Sequence, residues 1–167
     1  QLEEECLKLL ALYQPVASDL RLIIAILKIN TDLERIGDHA KNMAEAAIRL
    51  SASPAIEIPE TMFVIYKQAR LMLRKTLLAF VEADREVAEK VLEMDDGVDR
   101  RCSAELPHQI ELIKNHPEDV GQRLMLLSVC RQLERIGDHA SNIAEDVVYL
   151  LSGDIIRHGE NAAMKSH

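Results

Sequence analysis

One octapeptide occurs twice in this chain, at a spacing of 100 residues. Leu-Glu-Arg-Ile-Gly-Asp-His-Ala stands at 33–40 and again, unchanged, at 133–140. The similarity extends over 33–45 and 133–145, where 11 of 13 aligned positions are identical. Internal repetition of this kind indicates two equivalent structural units, so it constrains the architecture more than any other feature. It also places the same acidic side chains in two equivalent positions.

The repeated segment has the pattern of an amphipathic helix. Apolar residues recur at three- and four-residue spacing in the first copy, and their counterparts do so in the second: Leu33, Ile36, Ala40, Met43, Ala44 and Ala47. With about 100° between successive residues, Glu34, Asp38 and Glu45 share a stripe beside this apolar face. A solvated carboxylate face explains most such stripes, but repetition without change favours a binding function.

A glycine lies inside each copy of the predicted helix. Glycine in a helix interior costs about 1 kcal/mol relative to alanine, and no helix end is predicted near Gly37 or Gly137. Both glycines fall at the border between the apolar and the acidic stripe. They therefore predict a second helix packed closely beside the carboxylates.

The composition favours an all-α fold. Aromatic residues make up 3% of the chain and Trp is absent, while Leu, Ile, Ala, Glu and Arg dominate, as is typical of long helices. No strand pattern is present. Breaks at Pro and Gly residues and a capping position at Asp84 predict five helical segments. These are 1–13, Pro15–Ser51, Pro59–Ala83, Asp84–Lys114 with a kink at Pro107, and Pro117–Ser152.

Superposition by the 100-residue offset predicts two pseudo-symmetric antiparallel three-helix bundles. Residues 59–153 form the complete second unit, and a polar tail follows at 154–167. Residues 1–53 form an incomplete first unit, without its first helix and most of its second. We therefore expect roughly 50–60 residues to be missing before Gln1. The apolar stretches Leu20–Ile29 and Leu124–Val129 are expected to be buried on all sides and to meet in the middle, either between the two bundles or across a dimer.

Charge and cysteine usage exclude several classes of protein. A net charge of −8 argues against nucleic-acid binding, which needs a basic face. Three scattered cysteines do not suggest a disulfide framework or a zinc ribbon, and are interpreted as small buried hydrophobic residues. The longest apolar run, Leu22–Leu27, is too short to span a bilayer, and no secretory signal is recognised. We predict a cytoplasmic protein.

A second acidic pair predicts a metal site. Asp95 and Asp99 share a helix face, as Glu134 and Asp138 do, and an antiparallel hairpin would bring the two pairs together. Four carboxylates in a cleft repel one another, and either protonation or a cation relieves this. We favour a transition metal such as iron, zinc or manganese, since helix-borne carboxylates hold such ions inside bundles. His139 and Asn142 could add ligands, although a histidine satisfied by a neighbour at an interface is an equal alternative.

These motifs together resemble the PhoU family, the phosphate-specific transport system accessory proteins of bacteria and archaea. The resemblance covers essentially the whole chain. It rests on three features: Gln14-Pro15-Val16-Ala17-Ser18-Asp19-Leu20-Arg21, the two Glu-Arg-Ile-Gly-Asp-His motifs, and the Asp95/Asp99 pair.

The resemblance implies two three-helix bundles that carry metal clusters on Glu/Asp-Xaa-Xaa-Xaa-Asp motifs. It implies a cytoplasmic protein, often a homodimer, that negatively regulates phosphate uptake and phosphate-starvation signalling. The expected partners are the ATPase subunit of a phosphate ABC transporter and a sensor histidine kinase, and the membrane is reached only through them. The expected metal ligands are Asp95, Asp99, Glu134 and Asp138, with Glu34 and Asp38 in the first unit.

The first unit departs from the family pattern. The acidic pair that should face Glu34 and Asp38 would fall before Gln1, so these two residues form half a site in this chain.

Two alternative functions are open at this point: one is an enzyme, and the other is a domain that carries a phosphoryl group. A ferritin-like carboxylate-bridged metal oxidase needs Glu-Xaa-Xaa-His on two helices, and the single match is Glu105-Leu106-Pro107-His108. A helical phosphotransfer domain would use His39 or His139. Because the sequence has neither a nucleophile–base pair nor a phosphate-binding glycine loop, we expect no catalytic activity.

Overall fold

The computed structural model describes residues 1–152, which form five α-helices. They are α1 (Leu2–Tyr13), α2 (Ala17–Ser51), α3 (Glu60–Glu82), α4 (Arg85–Asn115) and α5 (Val120–Ser152). A short 3-10 turn, Pro117–Asp119, precedes α5. Residues 1–152 contain no strand, so the all-α prediction is confirmed, and the predicted helix ends are correct to within three residues. The predicted polar tail, 154–167, lies outside the described residues.

The helix ends follow from local chemistry. Asp84 caps α4 as predicted, since its Oδ1 accepts a hydrogen bond of 3.1 Å from the backbone N–H of Val87. Gln14 adopts a left-handed conformation with φ 44° and separates α1 from α2. Pro107 lies inside α4, which continues to Asn115 although proline supplies no backbone N–H.

Helices α3, α4 and α5 form an antiparallel three-helix bundle that corresponds to the predicted second unit. Its core consists of aliphatic side chains that are almost completely inaccessible to solvent: Ile65, Met72, Val91, Val98, Ile143 and Val147. A buried Thr76 hydroxyl donates to the carbonyl of Ala140 at 3.1 Å and joins α3 to α5. The bundle therefore fixes α4 and α5 side by side.

Helix α2 packs along α5 in the antiparallel direction, and α1 packs on α2. Ile29 and Ile36 of α2 join the core of the three-helix bundle. Lys28 Nζ donates to Asp146 Oδ1 at 2.6 Å across the α2–α5 interface. The loop before α3 is held by Arg123, whose guanidinium donates to the carbonyl of Glu57 at 3.2 Å.

Within a single chain, residues 1–152, the two apolar stretches do not meet, so that part of the prediction is wrong, while their contact across a dimer stays a prediction. Because α2 and α5 are antiparallel and Lys28 lies against Asp146, the stretches 20–29 and 124–129 lie toward opposite ends of the interface. Leu22 and Leu124 are 41% and 56% exposed, so neither stretch is buried on all sides. Within residues 1–152, no helix is both long and apolar enough to cross a membrane.

Candidate metal centre

Three aspartates from two helices meet in one cluster. Asp95 and Asp99 lie one turn apart on α4, and Asp138 faces them from α5. Each contributes a carboxylate oxygen, and these oxygens lie within 4.8 Å of one another. Two oxygens bound to the same cation at about 2.1 Å are at most about 4 Å apart, so small side-chain movements would complete a shared site. We call Asp95, Asp99 and Asp138 the aspartate cluster.

Glu134 is the fourth predicted ligand, and it lies beside the aspartate cluster but outside the group of three. Burial raises the pKa of Glu134, and the negative charges of Asp99 and Asp138 raise it further, while Arg135 and Arg131 act in the opposite direction. A cation bound at the aspartate cluster would cancel this repulsion. Glu134 therefore belongs to the same electrostatic unit.

The surroundings of the aspartate cluster leave room for an ion and its water ligands. A cavity of about 310 Å³ is lined by Asp95, Arg135, Asp138, His139 and Asn142. The Arg135 guanidinium lies 3.3 Å from Asp138 Oδ2 and supplies one positive charge. Carboxylates on facing helices of a bundle can bind manganese, iron or zinc, with water completing the coordination.

Two glycines bring the helices close at this point. A Cβ at Gly137 would lie 3.6 Å from Asp95 Oδ1, so a second helix does pack beside the carboxylates here, as predicted. A Cβ at Gly97 would come within 2.5 Å of Gln68 Nε2, which donates to the carbonyl of Met94 at 3.0 Å. Gly97 therefore lets α3 approach α4 between Asp95 and Asp99. This role of Gly97 is not among the predictions from the sequence, although a glycine inside a predicted helix was the available signal.

The same motif in the first unit has different surroundings. Glu34 and Asp38 are exposed on α2. Glu34 accepts a hydrogen bond of 2.9 Å from Asn30, and Asp38 lies 3.9 Å from Arg35. A Cβ at Gly37 would meet nothing within 4 Å. Among residues 1–152 no second helix covers this stripe, so the predicted close helix is absent at Gly37, and Glu34 and Asp38 are not brought to further carboxylates.

The two histidines of the repeated motif meet between α2 and α5. Their rings stack with centroids 5.4 Å apart and planes inclined by 29°. His39 Nδ1 lies 2.7 Å from Gln132 Oε1, and His139 Nδ1 lies 2.7 Å from Asp32 Oδ1. Positions 32 and 132 are equivalent under the 100-residue offset, so each repeat supplies the partner for the other repeat's histidine.

Two asparagines bind the same two partners as the histidines. Asn42 donates to Gln132 at 3.3 Å, and Asn142 donates to Asp32 at 3.4 Å. Both histidines are thus satisfied by neighbours, which is the alternative that the sequence left open. His139 and Asn142 line the cavity of the aspartate cluster, but His139 Nδ1 and the Asn142 amide nitrogen bind Asp32. Asp32 and Gln132 were missed because only the packing of the two helices brings them to the histidines.

The residues of the oxidase alternative lie elsewhere. Glu105 is buried, and its carboxylate accepts hydrogen bonds from Thr61 at 2.6 Å and Gln109 at 2.7 Å. His108 lines a separate cavity of about 280 Å³ beside Thr61. Neither Glu105 nor His108 belongs to the aspartate cluster. The arrangement therefore gives Glu105 a structural role within α3–α4 packing.

Known proteins are similar to this chain over most of its length. The family model for the PhoU domain matches residues 1–47 and 65–147. The phosphate-specific transport system accessory protein PhoU homologs of Pseudomonas putida and Pseudomonas aeruginosa are each 41% identical to this chain over 94% of its length. The chain spans 62% and 65% of the length of these two relatives.

Two crystal structures have the same fold. PhoU from Pseudomonas aeruginosa superposes with a TM-score of 0.87 at 41% identity, covering 90% of this chain and 73% of that protein. The phosphate transport system regulatory protein PhoU from Streptococcus pneumoniae gives 0.84 at 32% identity, covering 93% and 72%. These relatives are described as accessory or regulatory proteins, in agreement with the prediction that the chain is not an enzyme.

Proposed function

Because this chain belongs to the PhoU family, we propose that it is a metal-binding cytoplasmic regulator that restrains phosphate uptake and phosphate-starvation signalling. The names of its relatives support the proposed role in phosphate transport. Metal binding is our own proposal, and the aspartate cluster is the observation that carries it.

The electrostatics of the α4–α5 interface support a bound cation. Asp95, Asp99 and Asp138 place three carboxylate oxygens within 4.8 Å of one another, and Glu134 adds a fourth carboxylate with a raised pKa. Carboxylates at this separation repel strongly when the site is not filled by a cation. Iron, zinc or manganese would neutralise the cluster and join α4 to α5. We propose that the metal holds the second unit in the shape that partners recognise.

We further propose that regulation occurs through protein contacts. The candidate partners are the ATPase subunit of a phosphate ABC transporter and a sensor histidine kinase, with a homodimer as the acting form. A net charge of −8 favours a basic patch on the partner. Association should then weaken as salt concentration rises, because screening reduces attraction between opposite charges.

The experiment compares two double variants with the same change in charge. Asp95→Ala/Asp138→Ala removes two members of the aspartate cluster, whereas Glu93→Ala/Asp96→Ala removes two exposed carboxylates from the same region of α4. Purified protein is loaded with Zn²⁺, Mn²⁺ or Fe²⁺, and metal per chain and melting temperature are measured. At metal concentrations 100-fold above Kd, binding stabilises the fold by about 2.7 kcal/mol. That stabilisation should disappear in the cluster variant and remain in the control.

The same variants then test regulation in the host. The gene is deleted and replaced with the full-length gene that carries either double variant. At equal protein levels, the cluster variant should lose repression of phosphate uptake, and the control should keep it. Full metal content in the cluster variant would contradict metal binding at this place. Lost metal with intact repression would contradict the regulatory role of the metal and leave the family assignment unchanged.

A further inference from the structure

Two of the three cysteines meet across the α4–α5 interface. Cys102 on α4 and Cys130 on α5 are both buried, and Cys102 Sγ donates a hydrogen bond of 3.6 Å to the backbone carbonyl of Cys130. The neighbouring Cys130 side chain and burial raise the pKa of Cys102, whereas the neighbouring Cys102 side chain lowers the pKa of Cys130 against the opposing effects of burial and of the charges on Glu105 and Glu134. This contact poises Cys130 to react first as the nucleophile, with Cys102 as the second thiol.

A cavity gives small molecules access to this thiol pair. It measures about 570 Å³, and both Cys102 and Cys130 line it. Leu106 and Leu124 also line the cavity and are 52% and 56% exposed, so the cavity opens to the surface between these side chains. Cys6, the remaining cysteine, is buried on α1 and does not line this cavity.

The geometry points to a reversible disulfide between Cys102 and Cys130, formed by a small hydroperoxide that enters this cavity. The Cys130 thiolate attacks one peroxide oxygen, so that an S–O bond forms, the O–O bond breaks, and alcohol or water leaves with a proton. The Cys102 sulfur then attacks the Cys130 sulfur, and the S–O bond breaks to release water. In sum, two thiols and one hydroperoxide give a disulfide, one alcohol (water, for hydrogen peroxide) and one water, and the peroxide accepts two electrons.

The position of this bond connects it to the aspartate cluster. Cys102 lies one helical turn after Asp99 on α4, and Cys130 lies one turn before Glu134 on α5. A disulfide one helical turn away from these carboxylates fixes the separation of α4 and α5, the two helices that carry them. Because a disulfide has strict geometry, its formation changes how closely the carboxylates approach. This second part of the inference rests on the proposed metal function, whereas the disulfide itself does not.

The test treats the reduced, metal-free chain with a small excess of hydrogen peroxide. Intact mass should fall by two hydrogen atoms, and non-reducing peptide mapping should link the peptides that contain Cys102 and Cys130. Dithiothreitol should restore the original mass. Cys6→Ser is the matched control and should form the same link. Cys102→Ser should form none and should instead give a sulfenic acid at Cys130 that dimedone captures.

The disulfide is contradicted if both thiols remain open to alkylation after denaturation, or if the link forms through Cys6 or between two chains. The connection to the metal is tested by measuring the Kd for Zn²⁺ in the oxidised and reduced forms, with Cys102→Ser as reference. We expect at least a several-fold difference between the two forms. Equal Kd values, with the disulfide present, would overturn the connection alone, whereas failure of the reduced protein to bind metal would overturn the proposed function.

Discussion

The two copies of the repeated octapeptide have the same sequence but very different surroundings. Around Glu134 and Asp138, α4 supplies two further aspartates, and a Cβ at Gly137 would touch Asp95. Around Glu34 and Asp38, the side chains are exposed and the space beside Gly37 is open. This difference shows that the motif alone supplies half of the carboxylate cluster. A second acidic helix has to pack against it before the carboxylates form a cluster.

The two copies differ again where they meet. His39 and His139 have equivalent bonds to Gln132 and Asp32, so the centre of the α2–α5 interface is nearly the same from either side. The Lys28–Asp146 ion pair has no counterpart, because the equivalent positions carry Ser128 and Ala46. The repeats thus share a polar centre, and one of the two sides has an additional ion pair.

Removal of the cation from this ion pair should produce the larger effect on stability. Asp146 is buried, and burial raises its pKa above the ordinary 3.8, although Lys28 partly opposes this. Lys28→Met leaves the carboxylate in place without its cation. We expect a loss of about 1–3 kcal/mol in the free energy of unfolding at pH 7, toward the lower end because the Lys28 side chain is 58% exposed.

The pH dependence of the free energy of unfolding tests the cause of the stability loss in Lys28→Met. A carboxyl whose folded pKa is raised penalises folding above that pKa, and the penalty is relieved as pH falls toward 3.8. The deficit of Lys28→Met in urea unfolding should therefore shrink as the pH falls from 7 toward 3.8. The double variant Lys28→Met/Asp146→Asn should recover much of the loss at pH 7. A deficit that grows on acidification would contradict this account of the ion pair.

A smaller effect on stability is expected when either glycine of the repeated motif is replaced by alanine. Gly37→Ala should stabilise the fold by about 1 kcal/mol, because alanine favours the helix and the space is open. Gly137→Ala should gain less, since its Cβ would lie 3.6 Å from Asp95 Oδ1 and would partly desolvate that carboxylate. Calorimetry measures both variants, and titration with Zn²⁺ should show weaker binding for Gly137→Ala. Equal responses would contradict the difference in their surroundings.

Most of the fold could be predicted because the signals were local. Pro59, Pro117 and the Asp84 cap determine helix ends through backbone chemistry that acts within a few residues. The acidic stripes followed from the helical period alone. The α4–α5 hairpin could also be predicted, because a short connection makes neighbouring helices antiparallel.

The contacts that depend on the register between distant helices could not be predicted. Nothing in the spacing of Asp32 and His139 indicates that they bond, because the register of α2 on α5 is set by the whole interface. The same limit applies to Cys102 and Cys130. The sequence predicts them as small buried hydrophobic residues, and both are buried, but their contact depends on how α4 packs on α5.

The most direct test of the central claim is to locate the metal in crystals of this chain grown with Zn²⁺. Anomalous scattering at the zinc edge should give a peak within coordination distance of Asp95, Asp99 and Asp138. Glu34 and Asp38 should show none, because no second acidic helix covers them among the residues that the structure describes. A peak of equal height at Glu34 and Asp38, or none at the aspartate cluster, would contradict the claim that packing by α4 turns the repeated motif into a metal site.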